Sequence, residues 1–261
     1  MNVDLHCHTN LSDGSLAPKE LIQLAIERKI DVLAITDHDN IDCYSEITAP
    51  KEGLTLISGI EFSTTWNNIG VHIVGLNMDL SNPELLKGIE FQSVAREKRA
   101  TLIDEKLHNL GIKGCLEGAK RFSSGQQVGR PHFAQYLVEI GAVSNIQQAF
   151  KRYLGAGKAG DIKQQWASLG DVVSWIRGAG GIAVLAHPTK YKLTRTKLCR
   201  LLEDFVELGG EAMEVISGNQ TASETQSMAR LCKQYNLLAS RGSDFHAPGQ
   251  PWAALGMASE L

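Results

Sequence analysis

The sequence predicts an α/β fold: a parallel sheet or barrel that carries one inserted helical subdomain. Three observations predict it. Seven short β-branched, apolar runs recur along the 261 residues. Most are separated by segments with helical periodicity, the pattern of a parallel sheet with helical crossovers. One long stretch, 93–163, breaks the alternation and is helical throughout.

The elements follow in order. The first apolar run is 3–6. A periodic segment, 18–29, comes next, with Pro18 in the first turn, where its missing N–H costs nothing. Runs 32–36, 56–60 and 71–76 are the second, third and fourth strands. The link 62–70 is too short for a helix, so one pairing there is expected to be irregular. Runs 182–186, 212–216 and 237–240 complete the set. They alternate with helical segments 169–179, 194–208 and 221–235, each followed by Gly or Asn as a stop.

The stretch 93–163 contains four amphipathic segments, 93–109, 116–121, 131–140 and 144–153. It falls between the fourth and fifth strands. The expected organisation is therefore a discontinuous α/β unit, 1–92 and 164–261, with an inserted helical cap over 93–163. The cap holds 12 Lys and Arg against 6 Asp and Glu, a net of +6, whereas the remainder has 14 against 23, a net of −9. Solvated lysines on a helical insert account for part of that excess. A basic cap over an acidic site would suit anionic substrates.

Composition excludes several classes. The chain is 43% hydrophobic and 21% charged, values of a globular protein. The net charge of −3 argues against a basic nucleic-acid coat. No apolar run approaches the ~20 residues that span a bilayer, so no membrane association is expected. Met1-Asn2-Val3-Asp4 lacks the basic and apolar regions of a secretory signal. The five cysteines are scattered, without a C-x-x-C pair, which suggests reduced thiols and a cytoplasmic location. No stable protein partner is expected.

Eight histidines remain to be explained. His6 and His8 follow the first strand at spacing two, so they share a face, as two imidazoles on one metal ion would. Asp13 lies five residues on, in a turn-rich Ser-Asp-Gly. His38 ends the second strand beside Asp37. Neighbours in an extended strand face opposite ways, so His38 is expected to ligate and Asp37 to act as an orienting carboxylate behind the ligands. Glu61 follows the apolar third run and is expensive to bury unless paired or metal-bound. His72 lies within the fourth strand, where a histidine taken alone is as well explained by hydrogen bonding in a core. His187 ends the fifth strand, and Asp244 and His246 follow the last, again at spacing two. Together these residues collect at the carboxyl ends of strands, the rim where parallel barrels build active sites. Imidazoles with carboxylates, and no patterned cysteines, suit Zn, Mn, Fe or Ni. Nine candidate ligands make two or three ions reasonable, with a bridging carboxylate.

Asp4-Leu5-His6-Cys7-His8-Thr9, Thr36-Asp37-His38, Gly59-Ile60-Glu61, Ala186-His187-Pro188 and Gly242-Ser243-Asp244-Phe245-His246 resemble the ordered motifs of the PHP (polymerase and histidinol phosphatase) family. Val128-Gly129-Arg130-Pro131-His132 and the 95–99 helix segment resemble its branch with a helical insertion. That branch holds the 3′,5′-nucleotide bisphosphate phosphatases and the ribonuclease AM (TrpH/YciV-like) 5′→3′ exoribonucleases. The resemblance implies a distorted (β/α)7 barrel and a trinuclear centre. Carried onto this chain, His6, His8, Glu61 and Asp244 would hold one ion. Glu61 would bridge to a second, held with His72 and His187. Asp13, His38 and His246 would hold the third.

These expectations add up to a metal-dependent phosphoesterase with two to three divalent ions (Mn, Zn or Fe). It would act on nucleotides or short 5′-phosphorylated RNA, by in-line attack of a hydroxide held between the ions. Arg99, Arg130 and His132 of the basic insert are the expected phosphate contacts, because a guanidinium binds phosphate bidentately and Arg130 and His132 flank Pro131 at a helix start. Trp66, Trp166, Trp175 and Trp252 are expected to pack, with base stacking by Trp66, near the third-strand rim, as the lesser alternative. Two other functions compete: histidinol phosphate hydrolysis, against which the basic insert weighs, and a non-catalytic metal-stabilised module, against which the complete ligand set weighs.

Overall fold

A computed structural model describes residues 1–47, 53–123, 127–162 and 165–257. Among the described residues the chain forms eight strands in two sheets. β1 (Val3–Asp4), β2 (Val32–Ala34) and β3 (Thr55–Ile57) form a parallel sheet in that order. β4 (Gly59–Trp66), β5 (Ile69–Leu76), β6 (Ile182–Leu185), β7 (Ala212–Ser217) and β8 (Leu238–Gly242) form the second, also in chain order. In it β4, β5 and β6 pair antiparallel and β6, β7 and β8 pair parallel.

This corrects the seven-strand barrel in three respects. The run 56–60 is two strands broken at Ser58, whose hydroxyl donates to the Met78 carbonyl at 2.7 Å. The supposed short link 62–70 is most of a hairpin. β4 and β5 pair from Gly59↔Leu76 to Trp66↔Ile69, turning at Asn67 and Asn68 with φ of 46° and 61°. Two adjacent positive-φ residues match the twist of a tight hairpin. The polar residues Glu61, Ser63, Thr64 and Thr65 conceal that strand in the sequence, although the first three are buried. The strands also do not close into a barrel among the described residues. The sheets meet at a seam made of isolated bridges, Cys7 with Phe245 and His38 with Glu61. Backbone bonds from Asp244 N–H to His6 O (2.8 Å), His8 N–H to Phe245 O (2.9 Å) and Asp39 N–H to Glu61 O (2.9 Å) stitch it.

The helices are α1 (Pro18–Glu27), α2 (Cys43–Glu46), α3 (Pro83–Asn109), α4 (Cys115–Phe122), α5 (Arg130–Glu139), α6 (Ile146–Ala149), α7 (Leu169–Gly178), α8 (Arg195–Glu207) and α9 (Ala222–Gln234). Ser168 with Asp171 and Thr221 with Glu224 cap α7 and α9 reciprocally, satisfying N–H groups that the helix leaves open. α3 starts ten residues before the expected 93. Asn82 caps it, accepting from Glu84 and Leu85 N–H, and Pro83 opens it. The helix therefore runs unbroken through the expected boundary at 92–93, while the other boundary, 163–164, lies outside the described residues.

Four apolar clusters hold these layers among the described residues. The largest packs β4–β8 against α7, α8 and α9 through residues such as Phe62, Ile73, Ile176, Phe205 and Met213. A second packs α1 on β2 through Leu21, Ala25 and Leu33. A third lies within α3–α6 and the π-helical turn Phe150–Leu154, around Ile103, Leu107, Phe133 and Leu137. Small residues, Ala34, Val184, Ala186 and Ala212, line the space between the two sheets.

Candidate metal centre and phosphate cavity

The seam between the sheets gathers the chemistry. His6 and His8 follow β1, His38 follows β2, His187 follows β6, and Asp244 and His246 follow β8. Glu61 and His72 come from the hairpin strands β4 and β5. Antiparallel pairing sets Ser63 opposite His72, which puts the two side chains on neighbouring rungs facing one way. Asp13 enters from the loop after β1. Gly14 makes that loop tight, since a Cβ there would lie 2.4 Å from the His8 carbonyl oxygen.

Glu61 is the hub. It is fully buried, and imidazole nitrogens of His72 (2.8 Å), His187 (2.9 Å), His38 (3.0 Å), His6 (3.3 Å) and His8 (3.3 Å) surround its two oxygens. Asp244 Oδ1 lies 3.2 Å from His8 Nε2 and 3.5 Å from His6 Nε2. Asp13 lies 3.2 Å from His246 Nε2 and 3.5 Å from His38 Nε2. All nine residues expected as ligands thus meet in one constellation. Three groups within it have donor atoms close enough to share an ion: His8, Asp13, His38 and His246; His6, His8 and Glu61; and His38, Glu61 and His72. The first group contains His8 where the resemblance implies only Asp13, His38 and His246.

The donor set fits divalent ions on an observation independent of the resemblance. The buried atoms His8 Nδ1, Asp13 Oδ1, His38 Nδ1 and Glu61 Oε2 make no hydrogen bond, although nitrogens and oxygens face each other at 3.0–3.9 Å. Buried polar atoms are ordinarily satisfied. Two donors each about 2.1 Å from one ion sit about 3.0–3.4 Å apart, which is the spacing found here. The charge balance agrees. Burial would raise the Glu61, Asp13 and Asp244 carboxyls, yet the surrounding imidazoles hold all three well below the carboxylate range. In return, and against burial, Asp13 and Asp244 lift His246 to about 10. Burial and the neighbouring His246 push His8 down to about 3. Three carboxylates concentrated in a buried cluster make a site for cations.

Several supporting residues escape the sequence analysis. Glu214 on β7 faces the centre from behind. His6 Nδ1 donates to its Oε1 at 2.6 Å, and the His187 N–H donates to its Oε2 at 2.6 Å. A glutamate within the apolar run 212–216 is the signal that could have found it. Asp37 is a buried carboxylate that orients a loop rather than a ring. Its oxygens accept from Thr9 N–H, Thr9 Oγ1 and Ser12 Oγ, so it fixes the loop between His8 and Asp13 rather than an imidazole. Lys190 pairs with Asp244, and the Tyr191 hydroxyl accepts from His72 N–H and donates to Ala186 O. Both follow the Ala186-His187-Pro188 motif directly.

A cavity of about 380 Å³ opens beside the cluster. Asp13, His38 and His72 line one side, and Arg96, Arg99, Arg130 and Trp166 line the other. Arg96 and Arg99 lie over the Trp166 ring at 5.2 and 5.1 Å. Arg96 is spoken for: its Nε and a terminal nitrogen grip Asp39 at 2.7 and 2.6 Å. Burial, then repulsion from Arg130 and Arg96, pushes Arg99 well below the usual guanidinium range, against the opposing pull of Asp161 and Asp39. His132 is buried beside Arg130, its Nδ1 accepting from the Gly129 N–H at 3.0 Å. Trp66 packs as expected: it is buried in the core, and its indole N–H donates to Asp204 at 2.5 Å. Trp166, expected only to pack, occupies the cavity.

Comparison with known proteins gives consistent matches. The family model described as the PHP domain matches residues 4–156. A 5′-3′ exoribonuclease of Haemophilus influenzae is 45% identical over 260 residues, covering 99% of this chain and 94% of its own. A 3′,5′-nucleoside bisphosphate phosphatase of Chromobacterium violaceum is 41% identical over 263 residues, covering 100% of this chain and 92% of its own. The solved structure of an amidohydrolase from Chromobacterium violaceum, with bound sulfate and no metal, superposes with a TM-score of 0.90 at 41% identity, covering 97% of this chain and 90% of that one.

Proposed function

The chain belongs to the PHP-domain family and is a metal-dependent phosphoesterase related to enzymes of nucleotide and RNA phosphate hydrolysis; from that premise we propose that it breaks the bond between a phosphate and the 3′ oxygen of a nucleotide bearing a 5′-phosphate. A nucleoside 3′,5′-bisphosphate and a 5′-phosphorylated RNA both contain that bond. They differ in what the phosphate carries beyond it, a proton or the next nucleoside. One bond therefore accounts for an exoribonuclease and a bisphosphate phosphatase among close relatives.

The observation that carries this reading is the single cavity with a carboxylate–imidazole cluster on one wall and Arg99 and Arg130 on the other. Its size suits one nucleotide. The 3′-phosphate would lie against the cluster and the 5′-phosphate against the two arginines, whose forked donors match a phosphate. The sulfate of the Chromobacterium structure, a tetrahedral anion like phosphate, supports anion binding on the shared fold.

Two to three divalent ions, Mn, Zn or Fe, would be held by His6, His8, Asp13, His38, Glu61, His72, His187, Asp244 and His246. When bound they supply Lewis acidity at the phosphoryl oxygens and a water that ionises near neutral pH. The protein's own residues then have defined tasks. Glu61 reaches two of the donor groups and fixes their separation. Glu214 keeps the proton of His6 on Nδ1, so that Nε2 faces the cluster. Asp37 holds the Thr9–Ser12 loop and with it Asp13. Water adds to phosphorus, the P–O3′ bond breaks, and the 3′ oxygen leaves as a hydroxyl. Substrates of this kind and cysteines that form no disulfide fit a reducing cytoplasm.

The test compares phosphate or nucleotide release, with Mn²⁺ present, from adenosine 3′,5′-bisphosphate, a 5′-phosphorylated oligoribonucleotide and histidinol phosphate. Turnover of the first two above the third is the expected result. Preference for histidinol phosphate overturns the proposal.

A further inference from the structure

A second cavity, of about 620 Å³, lies on the other side of Arg96. Arg96 and Gln127 line both cavities, so together they form a common wall. Asp39 pins Arg96 from below, and the Arg96 terminal nitrogen also donates to Ser63 Oγ at 3.1 Å. The wall is therefore rigid. The two spaces differ in charge. The first is dominated by arginines. The second sets Arg96 and Lys120 against Asp42 and Glu97, and its remaining lining mixes neutral polar side chains, such as Ser93 and Thr101, with the apolar Ala100, Leu116 and Val128. Balanced charge and mixed polar and apolar walls suit a ribose and base better than a phosphate. One acceptor there is unsatisfied: Gln127 Oε1 is buried and makes no hydrogen bond. A ribose hydroxyl or a base amine would supply the missing donor.

We propose that this second cavity is the subsite for the nucleoside that follows the broken bond, the one attached through its 5′ oxygen to the phosphate at the metal centre. The inference rests on the phosphoesterase function proposed above and extends it to substrate length. Asn40, two residues after His38, lines the second cavity, and Arg96 and Gln127 line both, so the second cavity adjoins the one that holds His38, His72 and Asp13. A 3′,5′-bisphosphate leaves this cavity empty. A dinucleotide fills it, and Arg96 then lies between the two nucleosides.

The experiment uses Thr101→Trp and Lys120→Glu in the full chain. Both residues are exposed and line the second cavity only, so the fold should tolerate each. Steady-state constants are measured for adenosine 3′,5′-bisphosphate and for 5′-phosphorylated ApA. Filling the cavity with Trp should raise KM for the dinucleotide about tenfold, the loss of one modest contact set, and leave the bisphosphate within about twofold. Lys120→Glu should shift KM in the same sense by a smaller factor. Equal changes on both substrates, or none on the dinucleotide, overturn the subsite. A parent enzyme that turns over neither substrate overturns the functional premise itself, and the two failures are distinct.

Discussion

Replacing Glu214 by Gln tests the claim that the centre is tuned from behind. The carboxylate accepts two hydrogen bonds, from His6 Nδ1–H and from His187 N–H, both at 2.6 Å. An amide has one oxygen and cannot accept both. With its oxygen toward His6, its NH₂ confronts the His187 N–H, donor against donor. With its oxygen toward His187, its NH₂ donates to His6 Nδ1, and the imidazole proton must move to Nε2. That nitrogen lies 3.1 Å from His8 Nε2 and 3.3 Å from Glu61, and once protonated it cannot ligate. Glu214 is 2% exposed, so water cannot relieve either conflict. A buried unsatisfied group costs about 1–3 kcal/mol, and loss of a carboxylate behind a ligating histidine typically weakens metal affinity about 10–100-fold. Competitive titration of Mn²⁺ or Zn²⁺ against a chromogenic chelator reads that loss directly. An affinity within about twofold of the parent, with the fold intact by circular dichroism, would refute the tautomer argument.

Three further outcomes are expected. Arg130→Ala should raise KM for adenosine 3′,5′-bisphosphate by about tenfold and scarcely change that for p-nitrophenyl phosphate, which has no second phosphate; equal effects refute the anion wall. Gly242→Ala should lower both Tm and metal affinity, because the new Cβ would lie 2.2 Å from His6 Cβ and 2.8 Å from His6 N; overpacking of that kind costs about 1–3 kcal/mol, and an unchanged melting curve counts against it. Chelation should destabilise the protein: ions at a hundredfold excess over Kd contribute about 2.7 kcal/mol, and for a chain this long each kcal/mol moves Tm by about 2–4 °C. Identical melting with and without EDTA would mean that the cluster holds no ion.

The residues at the site were legible for a simple reason. His6 with His8, and Asp244 with His246, sit at spacing two beyond a strand, and ligands placed so cannot avoid sharing a face. The hairpin was not legible. Glu61, Ser63, Thr64 and Thr65 interrupt the apolar residues of β4, and a strand that faces a polar site carries no clean alternation. The separation into two sheets was hidden for a related reason: the seam is made of isolated bridges between residues already read as loop. Glu214, Asp39 and Lys190 were missed because their work depends on partners 208, 57 and 54 positions away. No local spacing encodes those pairings. Trp166 was expected to pack but lines the cavity, because a tryptophan's place in the sequence says nothing of which way its indole turns.

Backbone strain shows why the supporting residues matter as much as the ligands. Asp39, His187 and Asp244 have φ of 50°, 28° and 54°, conformations that cost a non-glycine residue about 1–3 kcal/mol each. All three lie just past strand ends on the rim of the centre. Each is held by a bond described above. Asp39 accepts from Ser63 N–H, Gln92 and Arg96. The His187 N–H is fixed by Glu214, and the Asp244 N–H by His6 O. The strained turns and the ligand orientations therefore depend on the same few contacts. Glu214 fixes a tautomer on one strand and a backbone on another, and Arg96 braces Asp39 while forming the wall between two cavities. The substitutions that should weaken ion binding most without removing a ligand are therefore those at Glu214 and Asp39.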